Sequence, residues 1–234
     1  MRYLIIPFFC ITSGIFLIAI MNKLGTFLPY NKVKLRIVQY LVFCGMILFP
    51  SAMNILNFDK LLSKKDNRLI AAEWVYNNIP PGSSIYQNGF SYGKVQLYPS
   101  LLSLEKEYKN EREKGGKGSI LKAQIDYFLR KNIQGHEQWG YDEDSAMFTF
   151  FNENKSGLPE FIIIQESPLI GWSHISKSIE RLLSTYYHLQ KAFIVINISQ
   201  RNNLFDQDDA FYVPFAGFRD IARPGPNFYI YKKK

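Results

Sequence analysis

Ile37-Val38-Gln39-Tyr40-Leu41-Val42-Phe43-Cys44-Gly45-Met46-Ile47-Leu48-Phe49-Pro50-Ser51-Ala52-Met53-Asn54-Ile55-Leu56 runs for 20 residues without Asp, Glu, Lys or Arg, and the fold class turns on how it is read. A second uncharged run, Tyr3–Met21, precedes it. At 1.5 Å per residue each is long enough to cross a hydrocarbon layer about 30 Å thick. Backbone in lipid must satisfy its own hydrogen bonds, so both runs are expected to be transmembrane helices. The chain then divides into a two-helix transmembrane region, 1–58, and an α/β domain, 59–234.

The connector 22–36 carries Lys23, Lys32, Lys34 and Arg36 and no acid. A short basic loop stays cytoplasmic, which places the chain start and the domain outside. The expectation is an integral protein of the plasma or inner membrane with its C-terminal domain on the extracytoplasmic side. Residues 1–21 read as an uncleaved span, since Leu17-Ile18-Ala19-Ile20-Met21 offers no small-x-small cleavage site.

The formal net charge is +8. Residues 1–58 contribute five basic groups and no acid, which leaves 23 basic against 20 acidic in the remainder. That balance, with no zinc spacing or recognition helix, argues against a nucleic-acid partner. The Lys232–Lys234 tail suits anionic headgroups, so membrane lipids are expected partners. Cys10 and Cys44 both lie in the apolar runs, which leaves the domain without a disulfide.

In the domain, Leu69, Ala72, Val75 and Ile79 share one helical face within Leu61–Asn78, and Pro80-Pro81-Gly82 ends it. Ser84–Gln87 reads as a strand, Ile120–Lys131 as a helix, Phe161–Ile164 as a buried strand and Ser176–Leu189 as an amphipathic helix. Phe193–Ile198, Phe211–Val213 and Phe228–Tyr231 complete the expected strands. Glu105–Lys117 has too few apolar residues to pack and reads as a solvated loop. Alternating helices and strands give a small α/β layer structure.

Five segments carry a family resemblance. They are Arg2-Tyr3-Leu4-Ile5-Ile6-Pro7-Phe8; Ala71-Ala72-Glu73-Trp74-Val75 through Pro81-Gly82-Ser83; Phe161–Gln165; Tyr186-Tyr187-His188-Leu189; and Arg223-Pro224-Gly225-Pro226-Asn227-Phe228-Tyr229-Ile230-Tyr231-Lys232. In order and spacing they resemble the C-terminal portion of GT-C type membrane glycosyltransferases, in the dolichyl-phosphate-mannose protein mannosyltransferase-like branch that includes the lipid A aminoarabinose transferase. The resemblance implies transfer of a sugar from a polyprenyl-phosphate donor. It also implies an acidic residue acting as general base in an upstream bundle or on a partner membrane chain, so no catalytic residue is assigned here and no cofactor is expected. Arg2 is the residue carried over, as a guanidinium shaped to hold a lipid phosphate by two parallel hydrogen bonds. The alternative is a non-catalytic, membrane-anchored module that binds a glycan or a partner.

Trp139, Tyr141 and Trp172 flank expected loops and are the candidates for glycan or acceptor contact, because aromatic faces stack on sugar rings. Asp142-Glu143-Asp144, with His136 nearby, fits no metal-ligand spacing and reads as a polar loop. Asp206, Asp208 and Asp209 read as turn residues. His174 and His188 lack a nucleophile in a known motif. Gly89-Phe90-Ser91-Tyr92-Gly93 has the Gly-x-Ser-x-Gly spacing but is read as only a superficial likeness to a nucleophile elbow, and hydrolase readings are set aside.

Overall fold

The computed structural model describes residues 33–151, 153–167, 173–197 and 221–234, together with isolated positions at 14, 15, 18, 19, 23, 205, 213, 214, 217 and 218. The chain forms two compact units, Met1–Leu56 and Asn57–Lys234.

The two expected transmembrane helices are corrected. Among the described residues no helix is long and apolar enough to cross a membrane. The run 37–56 is not an element of its own. It lies within α1 (Val33–Leu62), which also carries Lys34, Arg36, Gln39, Asn54, Asn57, Asp59 and Lys60, with Pro50 inside it. The helix extends past the uncharged run at both ends into charged residues, the run itself includes the polar Gln39 and Asn54, and Pro50 removes one backbone hydrogen bond. The placement in the plasma or inner membrane with an outward domain falls with the helices that supported it. Most of the first run, Tyr3–Met21, lies outside the described residues.

The second unit is an α/β domain whose sheet, among the described residues, has seven strands in the order β4-β3-β2-β1-β5-β7-β6. β1 (Ser84–Gln87) lies parallel between β2 (Glu137–Asp142) and β5 (Phe161–Glu166). β2, β3 (Met147–Phe150) and β4 (Glu153–Lys155) form an antiparallel meander. β7 (Asn227–Lys233) runs antiparallel between β5 and β6 (Tyr187–Phe193).

Helix α2 (Asn67–Asn78) begins at Asp66, whose side chain accepts from Arg68 N at 2.7 Å and caps an otherwise unpaired donor. Its buried face, Ala71, Ala72 and Val75 with Ile79 beyond, packs on Ile85, Phe161, Ile163, Phe228 and Ile230 from the sheet. The opposite sheet face is covered by α5 (Lys177–Tyr186), which brings Ile179 onto Ile162, Ile164 and Tyr187. β5 is buried on both faces, as its run of isoleucines requires.

Several elements differ from the reading of the sequence. The expected helix Leu61–Asn78 is divided, since Leu61 and Leu62 close α1 and α2 opens at Asn67. Of the expected strand Phe193–Ile198 only Phe193 lies in a strand, the end of β6, and Ile196 makes an isolated bridge to Ile221. Trp139 and Tyr141, read as flanking a loop, lie in β2. Leu101–Glu113 is a helix, α3, not a loop: Ser100 caps it at 3.1 Å, and its Glu, Lys and Arg are strong helix formers. The helix expected to run to Leu189 stops at Tyr186, and Tyr187 opens β6 directly. Helix α4 (Ser119–Lys131) follows α3 through Gly118 in a left-handed conformation, φ +58°. Most of the expected strand at 211–213 lies outside the described residues.

Candidate functional site

The carboxyl ends of β1, β2 and β5 meet where the chain leaves β1 in one direction and returns beside it from the other. Open α/β sheets most often bind ligands at such a point. Here the chain itself fills the gap between β1 and β5. Asn88 Nδ2 donates to the carbonyls of Gln165, Ser173 and His174 at 3.2–3.3 Å, and Gln165 N donates to Asn88 Oδ1 at 2.6 Å. Gln87 spans Val95 with both ends of its amide, at 2.9 and 3.1 Å. These side chains brace the strand ends.

The open surface lies on the sheet face shared with α5. Trp139 on β2 is register partner to Tyr86 on β1, Tyr86 to Ile162, and Ile162 to Tyr231 on β7. With strands about 4.8 Å apart, that row extends over roughly 14 Å. Trp139, Tyr141 and Tyr86 are half-buried around Phe148: the Tyr141 and Phe148 ring centroids are 5.0 Å apart, and those of Tyr86 and Phe148 5.5 Å. Trp139 Nε1 donates to Glu137 Oε2 at 3.1 Å, which fixes the indole plane. Burial, with the Glu143 carboxylate nearby, pushes the Tyr86 phenol up to about 12, so it stays a neutral donor.

At the other end of this face, a groove of about 550 Å³ runs between α5 and the β5–β7 pair, lined by Ile164, Glu166, Ile175, Glu180, Leu183, Ser184, Tyr187, Tyr229 and Tyr231. Tyr229 Oη donates to Glu166 Oε2 at 3.0 Å. Desolvation first, and then the bonded Glu166 carboxylate, push the Tyr229 phenol up to about 12. Tyr187 is shifted upward by burial, and its hydroxyl donates to the Pro159 carbonyl at 2.6 Å.

Of the residues singled out in the sequence, Trp139 and Tyr141 are brought together on β2, two positions apart and on one face. Arg2 and Trp172 lie outside the described residues, as do Asp206, Asp208 and Asp209. Asp142 ends β2, and Glu143 and Asp144 open the turn to β3. Ser145 Oγ and Asp144 N bind the Asp142 carboxylate at 2.6 and 3.2 Å and hold it below the usual range. Among the described residues no group of three or more His, Cys, Asp or Glu is placed to hold a metal. His188 is exposed on β6 opposite Lys232.

Sequence reasoning missed Glu166, Glu180 and the inward face of Tyr229 and Tyr231. The spacing of those two tyrosines places them on one face of a strand, but which strand they meet is set by pairing across about 65 residues. Compared with known proteins, the chain matches no family model, no curated protein and no solved structure.

Proposed function

We propose that this chain supplies the C-terminal, glycan-contacting part of a glycosyltransferase that draws its sugar from a polyprenyl-phosphate donor, with the catalytic acid or base outside the domain. The family resemblance of the five segments supports the donor and the reaction. The observation that carries the contact role is the half-exposed strip of Trp139, Tyr86 and Tyr141. An indole held in plane by Glu137 offers a flat apolar face to the C–H face of a pyranose, while the neutral Tyr86 phenol beside it suits its hydroxyls.

The test is a titration of the 234-residue chain with neutral acceptor-type oligosaccharides, followed by tryptophan fluorescence. Trp139→Ala should weaken binding about three- to tenfold, the range expected for one lost aromatic contact, with an unchanged circular dichroism spectrum. Equal affinity in the variant, or no binding by the parent, refutes the contact role. A second reading, a binding module with no part in transfer, is favoured by the strand ends at β1 and β5, whose amide side chains bond to the domain's own backbone. Loss of sugar transfer in cells that express Trp139→Ala in place of the parent separates the first reading from the second.

A further inference from the structure

We propose that the groove between α5 and the β5–β7 pair is a binding site for a small organic ammonium ion, distinct from the aromatic strip and independent of the glycosyltransferase reading. Two carboxylates line it: Glu166 at the end of β5 and Glu180 in the first turn of α5. Among the described residues the ion pairs join Lys65 to Glu73, Asp66 to Arg68, Lys109 to Glu113 and Glu153 to Lys155, and none reaches Glu166 or Glu180. Among the described residues, then, no salt bridge neutralises the negative charge in the groove.

Its other walls favour a cation over water. Tyr187, Tyr229 and Tyr231 bring aromatic rings, whose negative faces attract an ammonium group. Their phenols are all shifted upward, so they remain neutral and do not compete as anions. Tyr229 Oη already donates to Glu166 Oε2, which orients that carboxylate, and among the described residues no donor is bonded to its second oxygen. Ile164, Ile175 and Leu183 supply an apolar wall for the body of the ligand. A primary ammonium fits better than a quaternary one, because its three N–H groups can be shared between carboxylate oxygens and the Ser184 hydroxyl, whereas a methylated nitrogen has no hydrogen to donate. The apolar surface at Gly45–Ala52 has nothing to say what covers it, and the Asp142 carboxylate is already bonded by Asp144 N and Ser145 Oγ.

The experiment compares cyclohexylammonium with cyclohexanol, which share shape and differ in charge, by NMR shift titration of the 234-residue chain at pH 7. Cyclohexylammonium should bind at least about tenfold more tightly, the worth of one charge-assisted hydrogen bond, and shift signals of Leu183 and Tyr229. Glu180→Gln, an exposed change that leaves the fold intact, and Glu166→Gln should each weaken it several-fold. Equal affinity for the alcohol, no saturable binding of the amine, or parent-like affinity in both variants overturns the proposal. Loss of oligosaccharide binding with retained amine binding would refute the aromatic-strip reading and leave this one standing.

Discussion

His136 is 1 % exposed, its ring stacked on Tyr76 at 5.9 Å between centroids, and its Nδ1 has no hydrogen-bond partner among the described residues. Burial lowers its pKa from the ordinary 6.5, partly opposed by a hydrogen bond to the Pro80 carbonyl. The folded state thus prefers the neutral ring. In the window between the lowered folded value and about 6.5, the unfolded chain binds more protons than the folded one, so stability falls as pH falls through that window. The melting temperature should drop on acidification below pH 6.5, and His136→Gln should flatten that part of the profile; parallel profiles would refute it. Tyr141 offers the opposite case, a buried hydroxyl without a partner among the described residues. Tyr141→Phe should leave stability unchanged or raise it by about 1 kcal/mol in urea denaturation, since it removes a polar group that lost water and gained nothing. Neither environment is legible in the sequence. His136 read as a neighbour of an acidic loop because the ring that covers it, Tyr76, comes from a helix 60 positions away in the chain.

At the scale of elements, the segment Arg223-Pro224-Gly225-Pro226 is a clamp on the start of α2. Asn67 N donates to Pro224 O at 2.9 Å and Asn67 Nδ2 to Pro226 O at 2.7 Å. Gly225 has φ +102°, and a Cβ there would lie 2.8 Å from Asp66 Oδ1 and 3.2 Å from Asn67 N. Gly225→Ala combines left-handed backbone strain with a clash against the helix cap, and should cost about 2–3 kcal/mol in urea denaturation. Asn227 then holds the segment after β6: Oδ1 accepts from Val195 N and Ile196 N at 2.8 and 3.0 Å, and Nδ2 donates to Ile196 O at 2.8 Å. Asn227→Leu should cost at least about 2 kcal/mol, because it leaves buried backbone groups unpaired. The elements themselves were uneven to read. Ser84–Gln87 and the helix ending at Lys131 follow from local pattern and breakers. Helix α3 reads as a loop from its low apolar content, but its strong helix formers and the Ser100 cap outweigh that signal. The end of α5 was overrun because Tyr186-Tyr187 carries no glycine or proline; pairing with β7 ends that helix.

At the scale of the molecule, the described domain is a mixed sheet with α2 on one face and α5 on the other, and its most protected region should be the β1–β5–β7 centre. Ile85, Ile162, Ile163, Phe228 and Ile230 are at most 1 % exposed, whereas α3 and α4 bury little beyond Ser103, Leu104 and Phe128. Hydrogen exchange should therefore be slowest in β5 and β7 and faster in α3 and α4; protection in α4 equal to that of β5 would contradict this ordering. Local spacing sufficed for Phe161-Ile162-Ile163-Ile164 to announce a doubly buried strand and for Pro80-Pro81-Gly82 to stop a helix. Those properties depend on residues a few positions apart. The apolar run 37–56 misled because apolar composition alone does not say whether a helix ends with the run, and here one helix carries the run on to Leu62 with its charged flanks. The strand order, the pairing of β7 with β5, and the meeting of Glu166, Glu180, Tyr187 and Tyr229 around one groove were settled by tertiary contact. Register between strands tens of residues apart is chosen by the packing of both sheet faces at once, and no single segment contains that information.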